Sequence, residues 1–217
     1  MYKYKLSNNH YIIKVEGKNF LLDTGCNMSF SLKKNLHIMT IKGCSYFLPY
    51  NKMNINLEDL HKLVGMDVDG FIGNDVLYDH SITIHKDGRV DFKAAQVDGH
   101  KFPIVHSCAG IKIKLQSEGF YVIDTGAKYS YGVKRLFSHK KPFDHIEDYS
   151  PRFGWFESDI YHCSVKFDGL QKTIAIADNE LVDKDLEWLE TTVIGNITDL
   201  FDEVCVIDMR KRIVTLK

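Results

Sequence analysis

The chain carries the same segment plan twice. Asp23-Thr24-Gly25 follows the apolar run Phe20-Leu21-Leu22, and Asp124-Thr125-Gly126 follows Tyr121-Val122-Ile123. The copies lie 101 positions apart, close to half of the 217 residues. Upstream of the first copy, residues 11–19 alternate in part and turn at Glu16-Gly17. Upstream of the second, Ile111-Lys112-Ile113-Lys114-Leu115 alternates strictly before a glycine-containing turn at 116–119. A period of two is that of a strand, so each stretch reads as a hairpin delivering the acidic tripeptide. Downstream, Phe71-Ile72-Gly73-Asn74 and Val193-Ile194-Gly195-Asn196 precede short segments, 75–80 and 197–203, that read as helical turns. A strand pair follows each: 81–84 with 89–92, and 204–207 with 212–216. One such tripeptide is a turn at a strand end. Two inside a matched frame point to two similar units whose repeated loops meet between them.

The remaining sequence is strand and turn, so the expected class is mainly β. Helical spacing marks only 57–63 and 183–189, with Asp183 as the expected N-cap of the second. Residues 166–170 read as a hairpin turn between strands at 160–165 and 173–177. A turn-rich stretch at 97–100 divides the chain into units 1–98 and 99–217. Net charge of −1 offers no attraction to nucleic acid or an anionic membrane. The five cysteines (Cys26, Cys44, Cys108, Cys163, Cys205) form no C-x-x-C pair, and their odd number leaves at least one unpaired. The start, Met1–Leu6, has no apolar leader core, which gives the expectation of a cytoplasmic protein with free thiols. There is no H-E-x-x-H, G-x-S-x-G, phosphate-binding loop or G-x-G-x-x-G, so metallopeptidase, serine hydrolase and nucleotide chemistries have no motif here.

Two carboxylates brought face to face cannot both ionise easily, so they hold one proton between them and act as acid and base together. With its two Asp-Thr-Gly loops and its two apolar-apolar-Gly segments, the chain resembles the aspartic protease superfamily, in the retropepsin and pepsin-like sense. The resemblance covers both halves, chiefly at the motifs and flanking strands. It implies a bilobal, pseudo-twofold fold of two small barrel-like lobes with few short helices. It implies a peptide or protein substrate, a monomer carrying both half-sites, and neither metal nor cofactor. Asp23 and Asp124 would be the catalytic pair. Thr24 and Thr125 would reach across the pseudo-dyad to the opposite backbone. Gly25 and Gly126 would let the loops approach, and Gly73 and Gly195 would complete the second arm of each loop.

The sequence departs from that pattern after each motif glycine, where a hydroxyl often donates to the outer carboxylate oxygen. Here stand Cys26 and Ala127. Losing a donor to the charged form raises a carboxyl pKa, so the expected activity optimum lies nearer neutrality than that of a gastric enzyme. Cys26 reads either as a redox brake or as a small apolar packing residue. Two inserts offer a cover for the cleft: 40–46 with Tyr46, and 152–156 with Trp155. Two alternatives stay open, a peptide-binding module that keeps the fold without cleaving, and an enzyme restricted to itself or a single partner.

Overall fold

The computed structural model describes residues 1–107, 110–116 and 119–217. Cys108 and the middle of the expected 116–119 turn (Ser117, Glu118) lie outside the described residues. In the first half, β1 (Tyr2–Ser7), β2 (His10–Val15) and β3 (Lys18–Leu22) lead into the first Asp loop. Then come β4 (Phe30–Ser31), β5 (Ile38–Ile41), β6 (Cys44–Phe47), α1 (Leu57–Val64), β7 (Gly70–Ile72), α2 (Asn74–His80), β8 (Ile82–His85) and β9 (Arg89–Asp91). In the second half, β10 (His100–Ser107), β11 (Gly110–Lys114) and β12 (Phe120–Ile123) lead into the second loop. After it come β13 (Ser130–Gly132), a 3-10 turn at Lys134–Phe137, β14 (Asp144–Ser150), β15 (Gly154–Phe167), β16 (Leu170–Asp178), α3 (Glu180–Trp188), β17 (Val193–Gly195), β18 (Val204–Asp208) and β19 (Ile213–Leu216). The molecule is mainly β.

Matched sequence gives matched pairing. β2 and β3 join antiparallel through Glu16-Gly17, both at positive φ (48° and 80°), the geometry of a tight hairpin turn. β3 then runs parallel to β7, with Leu22 opposite Ile72, and β7 takes β4 on its other edge. The second half repeats this: β11 with β12, β12 parallel to β17 with Ile123 opposite Gly195, and β13 on the far edge of β17. A six-stranded antiparallel sheet joins the halves in the order β1-β9-β8-β18-β19-β10, with Ile84 opposite Cys205 at its middle. The apolar residues that alternate along these strands fill one core shared by both halves, including Ile13, Leu22, Ile84, Ile123, Ile207 and Val214.

Three local expectations change. The N-cap expected at Asp183 lies four residues earlier, at Asn179, whose Oδ1 accepts from Leu181 N at 2.9 Å. Residues 197–203 form a turn rather than a counterpart of α2. Asn196 Oδ1 accepts from the backbone N–H (2.8 Å) and the hydroxyl of Thr198, and Leu200 N donates to Ile197 O (2.9 Å), closing a single turn. The expected hairpin is present, β15 and β16 pairing from Asp159–Asp178 to Phe167–Leu170, with its turn tightened to Asp168-Gly169. Among the described residues no helix is long and apolar enough to cross a membrane, and the four described cysteines, Cys26, Cys44, Cys163 and Cys205, are free.

Candidate active site

Each Asp loop is held at its base by the strand beside it. Asp23 N donates to Ile72 O and Asp124 N to Gly195 O, both at 2.9 Å. The parallel β3–β7 and β12–β17 pairs therefore deliver an aspartate at the end of each motif strand, the second pair being set one residue further along the repeat than the first. The loops then lock to each other. Thr24 Oγ1 donates to Ile123 O (2.7 Å) and accepts from Thr125 N (3.0 Å). Thr125 Oγ1 donates to Leu22 O (2.8 Å) and accepts from Thr24 N (3.1 Å). Both threonines are fully buried. Four hydrogen bonds thus replace water for two backbone N–H and two C=O groups at the centre of the molecule.

The glycines set how near the carboxylates come. A Cβ on Gly25 would stand 2.6 Å from Asp124 Cγ, and one on Gly126 would overlap Asp23 Cγ even more closely. Each carboxylate therefore lies against the opposite loop's glycine, where only hydrogen fits. Gly73 and Gly195 are equally crowded, the first against the Met28 carbonyl carbon (2.5 Å from an added Cβ), the second against Ser130. The two carboxyls are near enough that each perturbs the other's hold on its proton. Asp23 Oδ1 accepts from Gly25 N (2.9 Å) and Cys26 N (3.0 Å), and Asp124 Oδ1 accepts from Gly126 N (2.9 Å). Burial pushes the Asp23 carboxyl well above the usual carboxylate range, and the Asp124 charge adds to the rise. Burial likewise raises Asp124, against the lowering pull of the Gly126 amide and Asp23. The backbone donors favour ionisation, yet desolvation wins, so the pair retains a proton to higher pH than free carboxyls do.

Cys26 does not serve the carboxylate with its thiol. Sγ faces Met28 O at 3.1 Å, and only its backbone N–H reaches Asp23. Burial and the adjacent Asp23 charge push the thiol up to about 12. It is packed against the apolar cluster around Phe30 and Phe71, and a thiol so protonated is a poor redox sensor.

A groove of about 310 Å³ opens above the pair. Met53, Ile55, Leu63 and Phe71 line it from the first half, and Tyr131, Val182, Leu186 and Ile194 from the second. Residues 148–151 and Phe153, at the tip of the β14–β15 hairpin, line it as well. Of the two expected covers, the structure brings only the second to the groove. Tyr46 is buried in the first half's share of the core, donates to Asp79 Oδ2 at 3.0 Å and lies beside His80 rather than at the groove. The β5–β6 hairpin folds back onto β2 because Met39, Ile41, Tyr46 and Leu48 are apolar and must be covered. Trp155 lies at the base of the β14–β15 tip, half-buried against α1 of the other half, where its Nε1 donates to Asp59 Oδ1 at 2.7 Å. It braces the cover instead of facing the groove.

Sequence reasoning gave no role to several supporting residues. Asn74 Nδ2 donates to Thr24 O (2.8 Å), and Asn196 Nδ2 donates to Ala127 O (2.9 Å) and Asn9 O (2.8 Å). Both asparagines recur in the repeated Gly-Asn step, which was the available signal. His10 is fully buried with its ring against the Gly126 backbone, its Nδ1 3.2 Å from Ser7 O and its Nε2 without a partner among the described residues. Nothing in its neighbouring sequence marks it. Asp148 is buried at the groove wall, accepting from Tyr131 OH at 2.6 Å. Among the described residues no three His, Cys, Asp or Glu side chains converge as a metal ion would require.

The sequence matches no family model, and no curated protein matches it closely enough to count as a relative.

Proposed function

We propose that the chain is a two-lobed, retropepsin-like aspartic endopeptidase that cleaves extended peptides with a water held between Asp23 and Asp124. The observation that carries this reading is the reciprocal threonine lock, which holds two proton-sharing carboxylates against each other at the foot of a groove. A module that only bound peptide would have no use for two adjoining carboxyls at the foot of its groove, since ionising both at once is costly.

In this reading the ionised carboxylate takes a proton from the water as the oxygen adds to the peptide carbonyl carbon. The protonated carboxyl gives its hydrogen bond, then its proton, to the developing oxyanion. The tetrahedral species collapses as one of its hydroxyls returns its proton to the ionised carboxylate and the amine leaves with the proton of the other, so the dyad ends with one proton. The groove supplies apolar walls on both sides, and the peptide lies between them as an added strand. The cytoplasm and a monomeric state fit free thiols and two half-sites in one chain.

The test is incubation with a diverse peptide pool from pH 3 to 8, alongside Asp23→Asn and Asp124→Asn. Cleavage in the parent, lost in both variants, upholds the reading. Peptide binding without cleavage in the parent replaces it with the binding-module reading. The cover lying down across the groove favours, as a second reading, an enzyme restricted to itself or one partner, which the same pool would reveal as self-cleavage alone.

A further inference from the structure

The β14–β15 hairpin rises from the second half and ends on the first. Its contacts there come from one face of α1. Trp155 Nε1 donates to Asp59 Oδ1 at 2.7 Å. Lys62 Nζ stands 3.7 Å from the centre of the same indole and also donates to Glu147 Oε2 at 2.8 Å. Tyr149 packs beside Trp155, their rings 5.4 Å apart, and both cover the apolar cluster of Ile55, Leu60 and Leu63. On the near side, Arg152 Nη1 donates to both oxygens of Asp185 on α3 (2.5 and 2.6 Å), and Tyr131 OH holds Asp148. Between these anchor points the turn carries Pro151 and Phe153 along the groove. The hairpin is therefore a strap fastened on both walls.

The fastenings differ in strength. Arg152 is 68% exposed and Lys62 is 59% exposed, and ion pairs in such positions contribute little. Among the ties to the first half, the indole-to-carboxylate bond is the strongest, because it joins a charged acceptor to a half-buried ring whose face a cation covers. Asp59 lies in the first turn of α1, whose N-cap Asn56 accepts from Glu58 and Asp59 N–H, so the acceptor is rigidly placed. Residues 148–151 and Phe153 of the strap line the same groove as Asp23 and Asp124, so a peptide that reaches the pair lies against the strap. Resting on the peptidase reading for the identity of what enters, we propose that Asp59, Lys62 and Trp155 form a clasp between the halves. It holds the strap shut over the two aspartates, releases to admit a peptide and closes again over it. Asp59 is then a gating residue, acting through the strap and not on the reacting atoms.

The chain has two tryptophans, and the other, Trp188, lies at the end of α3 and is 76% exposed. In a Trp188→Phe background the emission therefore reports Trp155 alone. Asp59→Ala is expected to raise acrylamide quenching of Trp155 and to speed trypsin cleavage after Arg152 about tenfold, with cleavage after other Lys and Arg residues unchanged. Asp59→Asn, which keeps an acceptor oxygen, is expected to restore most of the protection. On any peptide the parent cleaves, Asp59→Ala lowers KM and kcat together, since entry is freed and reclosure weakened. Unchanged quenching and nicking in Asp59→Ala overturns the clasp. So does a rise in nicking at every basic residue, which marks general loosening. If Asp59→Ala does not fold, Lys62→Ala carries the same measurements with a smaller expected rise. Local loosening in a chain that cleaves nothing upholds the clasp and overturns the peptidase reading alone.

Discussion

The two halves agree at their loops and part company in the inserts between them. After the first Asp loop the chain spends its insert on a short hairpin that turns inward, so that Tyr46 becomes core. After the second it extends a 14-residue strand, β15, whose base lays Trp155 on the opposite half. The loops cannot diverge in this way, because each threonine's hydroxyl needs the other loop's backbone and each glycine needs the other's carboxylate. The walls are under no reciprocal constraint. A groove lined by different residues from each half, with one cover, then distinguishes the two ends of whatever lies in it.

The largest expected effect tests equality at the loops. Asp23→Asn and Asp124→Asn should each lower peptide cleavage by about 10³-fold or more, since one shared proton cannot be managed by half a pair. A large loss from one and a small loss from the other would break the symmetry. The same variants should move stability the opposite way. Both carboxyls are raised in the folded chain, so the folded form holds a proton that the unfolded form gives up nearer pH 4. That contribution is full below the unfolded pKa and fades as pH rises through the folded one. Asp124→Asn should therefore unfold at higher urea than the parent at pH 8, and lose this advantage at pH 3.

Thr24→Val and Thr125→Val come next. Each strips one hydroxyl and leaves one buried N–H and one buried C=O unpaired, at about 1–3 kcal/mol per group, or about 4 kcal/mol in all. Urea unfolding should give nearly the same loss for both, and Thr→Ser at either site should recover most of it. A loss under about 1 kcal/mol at one site alone would show that the lock is not reciprocal.

The matched parts were legible in the chain because a duplication prints the same physical requirement twice. Phe20–Leu22 and Tyr121–Ile123, Gly73 and Gly195, and the strand pairs all recur in order. The unmatched parts were not legible, for reasons that residues make plain. Tyr46 and Trp155 both stand beside a glycine turn, and which one faces the groove depends on where each hairpin buries its apolar side. Lys112 alternates as a solvent-facing residue should, yet it is buried with Nζ 2.6 Å from Leu189 O at the end of α3, a cation at a helix C-terminus. Residues 197–203 make a single turn where a helical segment matching α2 was expected.

A pH experiment separates the environments of the two loops further. His10 packs under Gly126, and burial depresses it to about 4 from an ordinary 6.5. Its neutral form is the one that fits, so its contribution is complete above pH 6.5 and is lost as pH falls toward the folded value. Lys128, the other charge it feels, opposes protonation as well. The loss approaches about 3 kcal/mol by pH 4. His10→Gln should flatten the stability curve between pH 7 and 4. An unchanged slope would show that acid unfolding starts elsewhere.

The smallest effect concerns the residue after each motif glycine. Ala127→Ser places a hydroxyl where a side chain now offers no donor, and that hydroxyl can reach the outer oxygen of Asp124. A hydrogen bond to the ionised form lowers a carboxyl pKa, so the alkaline limb of the cleavage profile should move down by about half a unit to one unit. Cys26→Ser should shift it less. The thiol already faces Met28 O, and a hydroxyl in the same rotamer would donate to that carbonyl rather than to Asp23. Equal shifts from the two substitutions would mean that the serine at 26 turns inward, making the two loops alike in this respect too. A shift from Cys26→Ser alone would reverse the assignment and make the first loop the one short of a donor.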